Sequence, residues 1–76
     1  MIHDLKIRPV YFEAVEDGRK TFEIRYDDRD YQVGDRLILR EWHLGRYTGR
    51  VVEKMVTYKL TNCVGIYENY CILGIK

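Results

Sequence analysis

The chain has 76 residues and a formal net charge of +1, which predicts one domain over residues 1–76. Apolar residues make up 46% of it, enough for one small core, and the 33% of charged residues are too mixed in sign for a disordered tail. No apolar run approaches the roughly 18 residues of a membrane span. The N-terminus also lacks the layout of a signal peptide, so we expect a cytoplasmic protein without a membrane partner.

The first half of the chain mixes strand and helix patterns. Residues 2–8 alternate between polar and apolar side chains, which is typical of a half-buried strand. Pro9 suits the first turn of a helix, which is predicted over residues 10–17 and ends at Gly18. A second alternating strand is predicted over residues 21–26, and a polar loop rich in aspartate follows it.

The second half predicts strands only. A strand over residues 36–42 leads through a hairpin at residues 43–46 into a long strand over residues 47–60. Because that strand exceeds the usual length, we expect a bend or bulge within it. A final strand is predicted over residues 70–75. The order β-α-β-β-β-β makes a mainly β (α+β) fold, and closure into a small barrel would remove the exposed strand edges.

The distribution of charge indicates which partners the chain could bind, and the cysteine spacing indicates whether it holds a metal. Residues 36–59 carry six basic and two acidic side chains, which predicts either a basic patch or an ordinary solvated surface. Cys63 and Cys71 form no C-x-x-C pair, and both histidines lie far from them in sequence. We therefore expect buried or half-buried free thiols, no metal site and no cofactor.

The most informative stretch covers residues 18–25. Gly18 frees the backbone at the helix end, and Lys20 enters the following strand. Glu23 and Arg25 then project from the same face of that strand. A carboxylate beside a guanidinium, with a lysine nearby, suits a phosphate and one hydrogen-bonded base. The alternative is a surface salt bridge, which contributes only about 0–1 kcal/mol.

Three further side chains need an interpretation. Glu41 continues the inward stripe of its strand, so we expect it at the barrel mouth, held by an arginine, because an unpaired inward carboxylate is costly. Trp42 either stacks on a base or packs within the protein. His3 is predicted to be a hydrogen-bonded structural histidine, with a donor role in a cleft as the alternative.

The spacing of Gly18, Lys20, Glu23 and Arg25 matches the G-x-K-x-x-E-x-R signature of the ASCH domain, a relative of the PUA RNA-binding barrels. Nearly the whole chain resembles a compact bacterial and phage subfamily of unknown function. The matching segments are residues 3–7, 11–15, 28–30, 33–35, 37–42, 47–50 and 70–75. The resemblance implies a PUA-like barrel whose cleft beside the signature strand binds RNA or nucleotides.

The sequence departs from its relatives at two places. Asp27 stands where the subfamily has asparagine, which adds a negative charge near an approaching phosphate. Some ASCH relatives are amidohydrolases that remove acyl groups from modified cytidine. They resemble this chain at Lys20, but they carry threonine in place of Glu23 and use a glutamate from a longer, later segment.

We therefore expect a non-enzymatic module that binds RNA or a nucleotide. Its site would contain Lys20, Glu23 and Arg25, with Glu41 and Trp42 at the margin. One alternative is a small hydrolase that acts on a modified nucleoside or on RNA through Lys20 and either Glu23 or Glu41. The other is a phage or host module that binds a protein through its tyrosine- and arginine-rich surface. The oligomeric state is left open by the sequence.

Overall fold

The computed structural model describes residues 1–76 and contains one helix and five strands. In chain order these elements are β1 (Ile2–Ile7), α1 (Pro9–Glu16), β2 (Phe22–Tyr26), β3 (Arg36–His43), β4 (Arg46–Leu60) and β5 (Tyr70–Ile75). Every predicted element is present, and each end lies within one residue of its predicted position. The structure contains no helix that is both long enough and apolar enough to cross a membrane.

The turn after α1 positions the signature segment. Pro9 occupies the first turn of the helix, where its missing N–H costs nothing. Gly18 adopts a φ of 86°, a left-handed conformation that glycine tolerates and that ends the helix. The chain then folds back, and the backbone N–H of Lys20 donates to the carbonyl of Ala14 at 2.9 Å. The helix end therefore fixes where Lys20 enters β2.

The sheet is open, so the expectation of a closed barrel was wrong. The strand order is β1-β3-β4-β5-β2, with β1 parallel to β3 and the other pairs antiparallel. No backbone ladder joins the edge strands β1 and β2. Two arginine side chains reach across instead: Arg25 Nη2 donates to the carbonyl of Lys6 at 2.9 Å, and Arg29 Nη1 to that of Asp4 at 3.0 Å. At this seam the two edges are thus joined through arginine side chains and not through backbone pairing.

The bulge expected in the long strand is confirmed, and it reverses the face of one tyrosine. The pairing of β4 with β5 shifts register between Val56 and Tyr58. Strict alternation predicts that these two side chains share a face. Instead Val56 is fully buried while Tyr58 is 64% exposed, because the extra residue changes the parity of the strand.

The core lies between the inner face of the sheet and α1. Eleven side chains form it: Leu5, Ile7, Phe12, Val15, Tyr31, Leu37, Leu39, Val56, Cys71, Leu73 and Ile75. Cys71 is buried as predicted, whereas Cys63 is exposed and not half-buried.

A polar cluster closes one end of this core. The buried Asp35 carboxylate lies 2.8 Å from His3 Nε2 and accepts hydrogen bonds from the N-terminal ammonium and from the Gln32 N–H, both at 3.0 Å. The hydrogen bonds from His3, from the ammonium and from Gln32 hold the pKa of Asp35 well below its usual range. His3 is therefore the structural histidine that the sequence predicts.

Truncation of Phe12 is expected to remove much of the contact between α1 and the sheet. Phe12 is completely buried, so Phe12→Ala should lower the free energy of unfolding by about 3–5 kcal/mol. The matched control is Val10→Ala on the same helix, where the side chain is 67% exposed and a change within about 0.5 kcal/mol is expected. Urea unfolding followed by circular dichroism measures both, and equal losses would contradict the packing described.

Candidate functional site

The structure assembles the predicted triad around a buried carboxylate. Alternation along β2 turns Glu23 toward the inside of the sheet, where it is 4% exposed. Lys20 Nζ donates to Glu23 Oε1 at 2.8 Å, and Arg25 approaches Oε2 with Nε at 3.2 Å and Nη2 at 3.1 Å. Both oxygens are thus bound to cations, as a buried carboxylate requires.

Lys20 is held between two aromatic rings. Its Nζ lies 5.3 Å from the ring centroid of Tyr11 and 5.0 Å from that of Phe22. It also donates to the backbone carbonyl of Phe22 at 2.8 Å. The ring faces favour a cation at this distance, so the ammonium is fixed by aromatic as well as ionic contacts.

An open cleft of about 600 Å³ lies over this lysine. Its lining residues are Tyr11, Ala14, Arg19, Lys20, Phe22, Glu23 and Ile24. The walls are apolar or aromatic and the floor is ionic, and Arg19 at the rim is paired with Asp17 at 2.8 Å. A ligand with a flat apolar ring and a hydrogen-bond acceptor or anion matches these walls and this floor.

Arg25 belongs to the triad but does not line the cleft. Its guanidinium continues past Glu23 to the carbonyl of Lys6 on β1. It therefore links β2 to the opposite sheet edge while it neutralises Glu23. Sequence reasoning missed this second contact because no local pattern shows which strands face each other across the seam.

Glu41 has the arginine partner that the sequence predicts, but it lies apart from the cleft. Arg50 donates to Glu41 through Nε at 3.1 Å and Nη2 at 2.8 Å, and Thr48 Oγ1 donates at 2.6 Å. The Arg50 and Thr48 hydrogen bonds lower the pKa of Glu41 to about 2. Arg50 also reaches Glu13 on α1 at 2.8 Å and lies 4.6 Å from the ring centroid of Phe12. This network ties the hairpin to the helix.

Trp42 also lies away from the cleft whose margin it was predicted to form. It faces a separate depression of about 450 Å³ near the hairpin. Lys6 Nζ lies 3.9 Å from its ring centroid, and the ring of Tyr47 packs edge-on at 4.8 Å. Both contacts are internal to the protein, which favours the packing interpretation of this tryptophan.

The negative charge of Asp27 is neutralised within the protein. Lys59 Nζ lies 2.8 Å from Asp27 Oδ2, and both side chains are half-buried. The pairing arises from the β4 bulge, which turns Lys59 toward the inner side of the sheet. Asp27 therefore presents less repulsion to an anion than its isolated position in the sequence predicts.

The comparison with known proteins identifies the family. The family described as "Domain of unknown function (DUF3850)" matches residues 2–75. The chain belongs to this family. An uncharacterized 12.9 kDa protein in the GpA 3' region of Escherichia phage P2 is 43% identical to it over 72 residues. The alignment covers 95% of this chain but only 65% of the phage protein. Neither finding assigns this DUF3850 chain to the ASCH domain.

The stability of the protein is expected to depend on the ionisation of Glu41. Its pKa is about 2 in the folded protein, below the ordinary value of 4.5, so the folded state binds this proton less readily than the unfolded state. The stabilisation is complete above pH 4.5 and is lost as the pH falls toward 2. The Glu41→Gln variant should therefore be less stable at neutral pH and lose less stability over this range. Urea midpoints against pH measure the difference, and parallel curves would contradict it.

Proposed function

We propose that this protein binds RNA or a nucleotide in the cleft above Lys20, without turning it over. The observation that supports the proposal best is the ammonium of Lys20, fixed by Glu23 and two rings on the floor of an open cleft. A phosphate or base oxygen accepts a hydrogen bond from this cation. A base packs against the exposed ring of Tyr11 or Phe22, a contact that contributes about 1–3 kcal/mol where stacking occurs.

The resemblance of residues 18–25 to the ASCH signature supports the same proposal. In ASCH-like proteins the expected ligand site is the cleft beside the signature strand, and here that strand is β2. We infer that the family is related to the ASCH and PUA-like domains through this strand and its cleft. In this chain the sheet edges are joined by arginine side chains and not by a closed ladder.

The charge of the site limits how many phosphates it holds. Glu23 offsets one of the two cations of the triad, and Asp17 is paired with Arg19 at the rim. The cleft therefore suits one or two phosphates with a stacked base, and not a long run of backbone contacts. Affinity then depends on salt only weakly, since each phosphate neutralised adds about 0.7 to the salt slope for single strands.

Removal of the Lys20 ammonium or of the Tyr11 ring is expected to weaken RNA binding in different ways. Lys20→Gln should lower affinity and reduce the slope of log K against log salt by about 0.7, because one phosphate is no longer neutralised. Tyr11→Ala should lower affinity about five-fold or more with little change in slope, because it removes a ring and no charge. Fluorescence anisotropy with a labelled single-stranded RNA measures both quantities.

Lys76→Gln is the matched control for charge, because Lys76 is exposed at the end of the chain beyond β5. Circular dichroism shows whether each variant keeps its fold. Unchanged affinity and slope in the Lys20 and Tyr11 variants would refute the cleft as the RNA site. Arg25→Ala is a less direct test, since Arg25 also bonds to β1.

Acylated cytidine is expected to remain intact when it is incubated with the protein. A hydrolase needs a base within about 3 Å of the attacking water, yet both oxygens of Glu23 already accept hydrogen bonds from cations. Thr21 follows Lys20 directly in an extended segment, so its hydroxyl points to the other face. Chromatography of the nucleoside after incubation with the protein tests this. Turnover that disappears in Lys20→Ala would replace the binding proposal with the hydrolase alternative.

A further inference from the structure

Eight uncharged residues occupy adjacent positions on the outer face of the β2-β5-β4 sheet. The strand register aligns three rows on this face, and each row crosses the sheet from one strand to the next. The rows are Phe22-Gly74-Tyr58, Ile24-Ile72-Leu60 and Tyr26-Tyr70. We call these eight residues the outer face. Ile24 and Tyr58 on it are 58% and 64% exposed.

This composition differs from that of an antiparallel sheet with one solvated side. Such a sheet alternates apolar residues inward with polar residues outward. Here the inward positions of the same strands, such as Cys71 and Leu73, already form the core. Both sides of β5 are therefore apolar, as in sheets that are covered on both faces. The loop around Ile66 and Tyr67 approaches the outer face at Ile24, Tyr70 and Ile72, and Lys20 lies near the ring of Phe22.

The exposed area is sufficient for an interface. The aromatic side chains of the outer face, together with Tyr67, are between 40% and 85% exposed. At about 150–250 Å² for each aromatic side chain, this leaves roughly 600 Å² of ring surface in solvent. That is the upper end of the range for the largest apolar patch of an ordinary monomer, about 300–600 Å². Two such faces would bury about 1,200 Å², the lower end of specific interfaces.

Charge favours a second copy of the chain over nucleic acid on this face. Binding of nucleic acid needs lysine or arginine beside the phosphates, and none of the eight outer-face residues is charged. Two further cations, Lys20 in the cleft and Lys76 opposite Met55, lie at the margin of the face. The two cations that lie between outer-face residues in sequence, Arg25 and Lys59, are paired with Glu23 and Asp27. The net charge of the whole chain is only +1, so two copies repel each other weakly.

The shape of the face suits pairing with itself. A groove of about 390 Å³ runs between the sheet and the loop, lined by Ile24, Gly65, Ile66, Tyr67, Tyr70 and Ile72. Tyr67 stands at its rim and is 85% exposed. Each copy thus carries both a groove and a protruding ring, and a two-fold axis presents each to its counterpart.

We propose that two copies of this chain associate through their outer faces. The two sheets pack face to face about 10 Å apart, as in a β-sandwich. Phe22 and Ile24 also line the cleft above Lys20, so the partner copy covers the outer wall of that cleft. The association itself does not depend on the proposed RNA-binding function.

Sedimentation of the full chain over a range of concentrations tests the proposal. The wild-type protein should form a dimer as concentration rises. Tyr58→Lys should raise the dimer dissociation constant about ten-fold or more, because it places an unpaired charge in an apolar interface. The matched control is Leu44→Lys, an exposed apolar residue (86%) at the hairpin and off the outer face, which should dimerise like the wild type.

Ile24→Lys provides a second variant on the same face, and circular dichroism confirms that each variant is folded. A wild-type chain that stays monomeric at every concentration would overturn the proposal. So would a dimer that both outer-face variants leave intact. A monomeric wild type whose RNA affinity falls in Tyr58→Lys would assign the face to RNA instead, and it would leave the cleft to be judged by the Lys20 variant.

Discussion

The seam between β1 and β2 is the constraint on which the rest of the structure depends. These strands are the two edges of the sheet, and they approach each other without forming a ladder. Arg25 crosses the gap to β1 and binds Glu23 on its way, while Lys20 binds the other oxygen of Glu23 from the end of α1. The buried carboxylate of Glu23 thus holds Lys20 at the helix end and Arg25 on β2, and Arg25 in turn contacts the opposite edge strand β1. The contact with Glu23 also fixes the position of the Lys20 ammonium in the cleft.

Three buried carboxylates lie where the end of the core, the edge of the sheet and the hairpin contact other parts of the chain. Asp35, Glu23 and Glu41 all lie on the inner side, and each accepts hydrogen bonds from at least two donors. A 76-residue chain buries a modest apolar core, so packing alone leaves its periphery loosely defined. Paired buried charges add little net stability compared with apolar packing. Here the buried carboxylates determine geometry, because each of them is tolerated only where its hydrogen-bond donors meet around it.

Sequence patterns predicted the secondary-structure elements and the faces of the strands. They missed the contacts between segments that are distant in sequence. Alternation located the strands and put Glu23 and Arg25 on one side of β2, since the period of two is a property of any strand. The cost of burying Glu41 predicted an arginine partner, but only the hairpin register makes that partner Arg50. A single bulge was enough to turn Tyr58 outward, because a shift of one residue reverses every side chain beyond it. The prediction of a closed barrel was wrong because alternation shows which side chains share a face of the sheet, but not whether its two edge strands pair.

The cleft and the outer face share Phe22 and Ile24. These shared residues couple ligand binding in the cleft to association through the outer face. Neighbouring residues of β2 point alternately inward to the ionic floor and outward to the apolar surface, so the same strand serves both. A partner copy on the outer face changes the walls seen by a ligand in the cleft. Linkage then requires the converse: a ligand that binds the paired form more tightly must strengthen the pairing by the same factor. Only Phe22 and Ile24 belong to both surfaces, so a substitution at either residue changes both, whereas Lys20 belongs to the cleft alone and Tyr58 to the outer face alone.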